Sequence, residues 1–275
     1  MGRVTLTEKT QVFILHWASH DYLWPNYFTL EAVRSIQSLT AVPYELIIVD
    51  NHSDPQAFES LKAELPGGVR VVRNDRPSRS VNSGRNKVWS LVESKYFVLL
   101  HPDVKVTKGW LSTWIAELEM AEKRYGRPCV ISPTFVPYPL LDREAYRRFS
   151  GPGHFTVNHE INVRSGPPGF WTDDGHQLMI FGASKWFRDV VGEWDERYTG
   201  ANFDDCDMGI TAIMKGCKNL ISHRVYIHHL QGASIGFGVL RDRVTNAKVF
   251  IEKWGRQMFD EMQTGRLWIR LHEGV

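Results

Sequence analysis

Tyr96-Phe97-Val98-Leu99-Leu100 gives way at once to His101-Pro102-Asp103, after which the chain returns to Val104-Lys105-Val106. An apolar run of this length without polar alternation is the pattern of a strand covered on both faces in an α/β sheet. Nothing about folding asks such a strand to end in an imidazole, a rigid proline and a carboxylate. In open α/β sheets, ligands bind at the carboxyl ends of the strands. Glu45-Leu46-Ile47-Ile48-Val49 ends the same way, in Asp50-Asn51. Two acids brought to one edge suit a partner that is cationic or rich in hydroxyls: a metal, a ribose or a sugar.

Working outward, Gln11-Val12-Phe13-Ile14-Leu15 reads as an earlier strand that stops at His16-Trp17. Helical spacing covers 30–39, and Asp54-Pro55 opens a further helix, with Asp as N-cap and Pro in the first turn. A short strand over 69–72, a helix over 83–94, a helix over 110–124 and a strand over 130–132 follow. This alternation predicts an α/β fold with a mainly parallel central sheet and helices on both faces. From 133 to 171 the periodicity dissolves into prolines, glycines, aromatics and mixed charge, as in a lid or binding loop, or else a plain insertion. Patterning resumes with a strand over 177–181. Helices over 185–191 and 205–215, a strand over 225–228 and a helix over 241–253 complete the series. The expected organisation is a single domain over 1–275. Its halves run from about 11–132 and 133–255, and 256–275 forms a tail.

Composition narrows the function classes. The chain has 275 residues, 43% of them hydrophobic, which suffices for one large α/β domain. A formal net charge of +2 offers no strong field for nucleic acid or an anionic membrane. The three cysteines are too few and too scattered for a disulfide framework or a zinc site, which suits a reducing compartment. No apolar stretch approaches the roughly 18 residues of a spanning helix, and no signal-peptide pattern is read at Met1-Gly2-Arg3, so the expected setting is cytoplasmic. The ten tryptophans are many for this length; most are expected in the core, and any near the site can stack on sugar rings.

Several segments together resemble family 2 glycosyltransferases of the GT-A fold. Leu46-Ile47-Ile48-Val49-Asp50-Asn51-His52-Ser53-Asp54 is similar to that family's VDN-x-S-x-D segment. Ser83-Gly84-Arg85-Asn86, the Phe97 to Val104 passage and Gly109-Trp110-Leu111 are similar to its "ARN", "lLNPDv" and "gwL" elements. Gly192 to Tyr198 with Phe203-Asp204-Asp205-Cys206-Asp207 resembles "GgFDErf…yEDvDl". His229-Leu230-Gln231-Gly232-Ala233-Ser234 resembles "H-x-G-G-x-S", and Glu252-Lys253-Trp254-Gly255 the late "KWG". Each match is weak alone; five in family order over about 11–255 are a strong signal.

The resemblance implies a hexosyltransferase-type enzyme that moves a sugar from a UDP- or GDP-linked donor to an acceptor hydroxyl, with inversion. Asp205, matching the Asp of the Glu-Asp pair, is then the general base. Asp103 ligates a divalent cation, Mn2+ or Mg2+, with His229 as a further ligand. His101 stands where the family commonly has Asp or Asn, and imidazole suits a borderline metal. Asp50, Asn51, Arg85, Trp17 and His101 are the donor-side candidates, and Asp204, Asp207 and Trp171 the acceptor-side ones. Each position also has a plain structural reading. Asp103 can cap a turn, Asp50 can close an Asx-turn, Arg85 can be a solvated helix face, and Asp204 or Asp207 can cap a helix. His228 and His229 are adjacent on a strand, so at most one lines the site. The sugar and acceptor stay open, nucleic acid included, as does oligomeric state. A metal-dependent phosphodiesterase and a non-catalytic sugar-nucleotide-binding module are the competing readings.

Overall fold

The computed structural model describes residues 8–19, 24–76, 80–137, 178–200, 202–230, 239–263 and 267. Among the described residues, eight strands form one sheet: β1 (Thr10–His16), β2 (Tyr44–Asp50), β3 (Val69–Arg73), β4 (Tyr96–Leu100), β5 (Val104–Val106), β6 (Cys129–Pro137), β7 (Phe181–Ser184) and β8 (Lys218–His229). Their spatial order is β3-β2-β1-β4-β7-β6-β8-β5. The pairs β3–β2, β2–β1, β1–β4 and β6–β8 are parallel. Only β7 and β5 run against the rest. The strand order reverses between β1 and β4, which opens a crevice at their carboxyl ends.

The helices are α1 (Trp24–Leu39), α2 (Pro55–Glu64), α3 (Val81–Leu91), α4 (Trp110–Tyr125), α5 (Lys185–Val191), α6 (Asp204–Met214), α7 (Val239–Trp254) and α8 (Arg256–Gln263). Strand alternation shows why the central strands are apolar throughout. Val12, Ile14, Val98 and Leu100 pack with α1, α2 and α4 on one face. Phe13, Leu15, Phe97 and Leu99 pack with α3, α5 and α6 on the other. Both faces are covered, so neither needs polar residues, and each large apolar side chain buried this way is worth about 1.5–3 kcal/mol. A third cluster, with Tyr198, Phe203, Phe250 and Leu267, joins α6 to α7 and α8.

Several boundaries differ from the sequence reading. Residues 178–180 are not in a strand; β7 begins at Phe181, and α3 starts earlier and ends earlier than 83–94. The supposed loop after 132 begins as the second half of β6, while 138–177, with Trp171, lie outside the described residues. The expected tail carries α8, whose Met258, Phe259 and Met262 pack on the third cluster. Asp54 does precede α2, but its side chain makes no capping hydrogen bond; Pro at the first turn suffices to start the helix. No helix among the described residues is long and apolar enough to cross a membrane.

Candidate active site

Strand pairing assembles the first group. Asp103 immediately precedes β5, and β5 runs antiparallel to the end of β8 with Val104 opposite His229. The amide of Leu230 donates to the Asp103 carbonyl at 3.1 Å, which closes the pairing. A bulge in β8 lets its end meet β5: Ser132 pairs with Ile221 but Thr134 with Tyr226. His229 consequently faces Asp103, with Nε2 3.4 Å from Oδ1, while His228 points to the opposite side. The ligand atoms of His101, Asp103 and His229 all lie within 4.8 Å of one another.

This cluster is electrostatically incomplete. Both Asp103 oxygens and both His229 ring nitrogens are buried and lack a hydrogen-bond partner among the described residues. Burying such groups unmatched costs several kcal/mol, roughly 1–3 for each polar atom and more for a charge. Burial pushes the Asp103 carboxyl up, but His229 and His101 outweigh it and hold the group below the usual carboxylate range. Burial, with His229 adding to it, drives His101 down to about 3, so its ring is neutral. A neutral imidazole beside a carboxylate is a donor set ready for a divalent cation.

The second group opens α6. The residue that precedes this helix is Phe203, in the left-handed region at φ 64, and three acids fill the first turn. Neither Asp204 nor Asp207 caps it. Asp204 pairs with Arg85 of α3. The Arg85 guanidinium lies 4.3 Å over the Trp194 ring and also donates to Asn82 Oδ1 at 2.8 Å. Gly84 lets α3 lie close to the end of β1 and the loop after β2, since a Cβ there would meet Leu15 Cδ1 at 2.5 Å and Asn51 Cγ at 2.8 Å. Asp207 accepts from Lys253 Nζ at 2.8 Å and from Trp254 Nε1 at 2.6 Å, which ties α6 to the end of α7. Asp205 has no ion pair among the described residues. Burial, then the neighbouring Asp204 charge, raises its carboxyl to about 6, against the pull of Arg85. The charge of Arg85 lowers the proton affinity of both His101 and Asp205.

The remaining donor-side candidates fare differently. Asp50 is fully buried; it accepts from the Ser53 hydroxyl and from the Ser53 amide at 3.2 Å, with Arg73 3.7 Å away. The carboxylate thus closes the loop after β2 onto itself, through a residue three positions on. Asn51 donates to the Ser80 carbonyl at 3.1 Å and accepts from Asn74 at 2.9 Å. Both side chains brace the loops after β2 and β3. Trp17 follows the carboxyl end of β1 and is 41% exposed. The structure thus gathers His101, Asp103 and His229 together, sets Asp205 with Arg85 and Asp204, and leaves Asp50 and Asn51 internally satisfied. The sequence reading missed the role of Lys253 and Trp254, although the late "KWG" contains both. It also missed Trp194 under Arg85, although the segment from Gly192 to Tyr198 contains it.

Residues 28–171, just over half of the chain, match the sequence model of the glycosyl transferase family 2. A search of the curated proteins returns no match. Among solved structures, GalNAc-T7 in a crystal with UDP, GalNAc and Mn2+ superposes with a TM-score of 0.55 at 14% identity, over 80% of this chain and 43% of that one. Staphylococcus aureus TarS, residues 1–349, gives 0.53 at 12% identity over 82% of this chain and 61% of that one. A longer TarS structure gives 0.55 at 12% identity over 94% and 43%. The chain therefore spans roughly half the length of these structures, and at such identities the likeness shows the fold. With the family match and the sheet order in agreement, this chain belongs to glycosyl transferase family 2 and has the GT-A fold.

Proposed function

We propose that this protein transfers a sugar from a nucleotide-diphosphate donor to an acceptor hydroxyl, with inversion at the anomeric carbon. One observation supports this above all: the buried Asp103 carboxylate at the sheet's ligand edge, whose oxygens lack a hydrogen bond among the described residues and which is faced by two imidazoles. His101, Asp103 and His229 would hold a divalent cation, and two nitrogen donors favour Mn2+ over Mg2+. A bound cation neutralises the charge that develops on the departing diphosphate. GalNAc-T7 was solved with UDP, GalNAc and Mn2+; a UDP- or GDP-sugar with Mn2+ is the ligand set proposed here.

Asp205 takes the proton of the attacking hydroxyl. A carboxyl at about 6 is ionised at neutral pH yet basic enough to accept a proton from an acceptor as it attacks. Asp204 and Asp207 hold α6 in place through Arg85, Lys253 and Trp254. Trp17 stacks on the donor side, with Asp50 and Asn51 shaping the same loops from inside.

Two measurements test the reading. In calorimetry with UDP and with GDP, Mn2+ should strengthen binding to the wild-type chain and leave Asp103→Ala unaffected; equal affinities for both proteins refute the metal assignment. Mass spectrometry over a panel of nucleotide sugars, without and with candidate hydroxyl acceptors, should reveal a glycosylated product or released nucleotide. Neither product with any donor refutes the transferase reading.

A further inference from the structure

Helix α7 reaches across to the segment that leads into Asp205. Asn246, in the middle of α7, is fully buried. Its Oδ1 accepts from the Thr199 amide at 2.9 Å, and its Nδ2 donates to the Thr199 carbonyl at 2.8 Å and the Asn202 carbonyl at 3.0 Å. One side chain therefore satisfies three backbone groups of a single short segment. Only a primary amide offers an acceptor and two donors on one planar group.

The gripped segment is conformationally unfavourable. Gly200 has φ 58, Asn202 φ 91 and Phe203 φ 64. Left-handed backbone at the last two, neither a glycine, persists only where the surroundings over-determine it. Those surroundings are visible. A Cβ on Gly200 would collide with the carboxylate of Asp242, one turn before Asn246 on the same helix. Gly200 also bridges to Ser80, which caps α3 through its side chain. The Phe203 ring packs against Phe250 of α7 and Phe259 of α8, with centroids 5.9 and 5.6 Å apart. The segment is thus held between α3 and α7, and its last residue starts the helix whose first turn carries Asp205.

We infer that Asn246 is a positioning residue for Asp205: its three hydrogen bonds to the backbone of Thr199 and Asn202 hold the left-handed residues before α6 in the strained path that sets where that helix begins. The inference rests on the reading of Asp205 as the base. Asn246 touches neither substrate nor metal ligands in this scheme; it acts through the backbone, and it belongs to a helix that follows the last strand of the sheet.

The test compares wild type and Asn246→Ala as full chains, with Asn246→Ser in its place should the alanine variant not fold. Deuterium uptake of 199–207 should rise, while that of 96–106 stays unchanged. UDP affinity in the presence of Mn2+ and the donor KM should stay within about twofold, whereas kcat falls by about 10- to 100-fold, the expected result of misplacing a catalytic group. Adding Asn202→Gly should recover part of the lost kcat, at least about threefold, because glycine takes a positive φ without penalty and needs less holding. Unchanged uptake overturns the grip. Raised uptake with intact kcat overturns the link to Asp205, and a parallel loss of UDP affinity reduces Asn246 to a general structural role. Were the wild-type chain to turn over no donor at all, the glycosyltransferase reading would fail by itself, and the uptake comparison would still uphold or overturn the grip.

Discussion

Replacing Arg85 by methionine leaves a buried carboxylate without its cation. Arg85 and Asp204 are paired with side chains 3% and 4% exposed, so neither charge is compensated by water. Methionine fills the aliphatic volume over Trp194 but supplies neither charge nor donor. Removing one member of a buried pair costs about 3–5 kcal/mol. The lost hydrogen bond to Asn82 and the lost stacking on Trp194 each add roughly 1 kcal/mol. Against the roughly 5–15 kcal/mol that holds a domain together, such a loss is a large fraction. The melting temperature should fall by about 10 °C or more at neutral pH. Asp205 loses the guanidinium that holds it down, so its carboxyl rises further above about 6. The acidic limb of the turnover profile then moves to higher pH. The double change Arg85→Met/Asp204→Leu removes both charges and should restore most of the stability, since apolar replacement of a buried pair is often neutral. Urea unfolding at acidic and neutral pH, followed by circular dichroism, reads the energies, and pH–rate curves read the limb. A single variant within about 1 kcal/mol of wild type at neutral pH would refute the reasoning, because an exposed pair is worth only that much. A double variant no more stable than the single one would refute it as well.

Asp205→Asn should lower turnover by about 10²–10⁴-fold with donor affinity unchanged and flatten the rise in rate that wild type shows through about pH 6. Because the folded-state carboxyl is raised, its ionisation disfavours the fold: the stability contribution is present below the unfolded value and lost as pH rises through about 6. The asparagine variant should therefore melt higher than wild type at neutral pH while being nearly inactive, and a lower melting point would show that the raised carboxyl is misplaced. Gly182→Ala puts a Cβ 2.7 Å from Trp114 Nε1, whose hydrogen bond to the Ile131 carbonyl spans 2.9 Å. The forced shift should cost about 1–3 kcal/mol in urea unfolding, and an unchanged midpoint would mean that the tryptophan can move freely.

The elements legible in the sequence are those whose burial is symmetrical. β1, β2 and β4 are apolar throughout because helices cover both faces, and that pattern needs no partner to be recognised. The acids at the ends of β2 and β4 were equally legible. β5 was not, since three residues form a strand only when the end of β8 lies beside them. The second half of β6 reads as loop because its neighbour is the bulged part of β8, far along the chain. α8 was hidden in the apparent tail because its apolar side is only partly covered, by residues of α6 and α7.

By itself the sequence determined the sheet's central strands, the edge to which its acids are delivered, and the positions of Asp103, Asp205 and His229 in family order. Which acids remain available was decided by tertiary structure alone. Asp50 closes on Ser53 nearby, but Asp204 is claimed by Arg85 from 119 residues away and Asp207 by Lys253 from 46. Local pattern records residue types, whereas ionisation and pairing depend on which distant charges folding brings within hydrogen-bond reach in a medium with little water. The same holds for His229. A strand register, not a motif, sets its imidazole against Asp103 and turns His228 away.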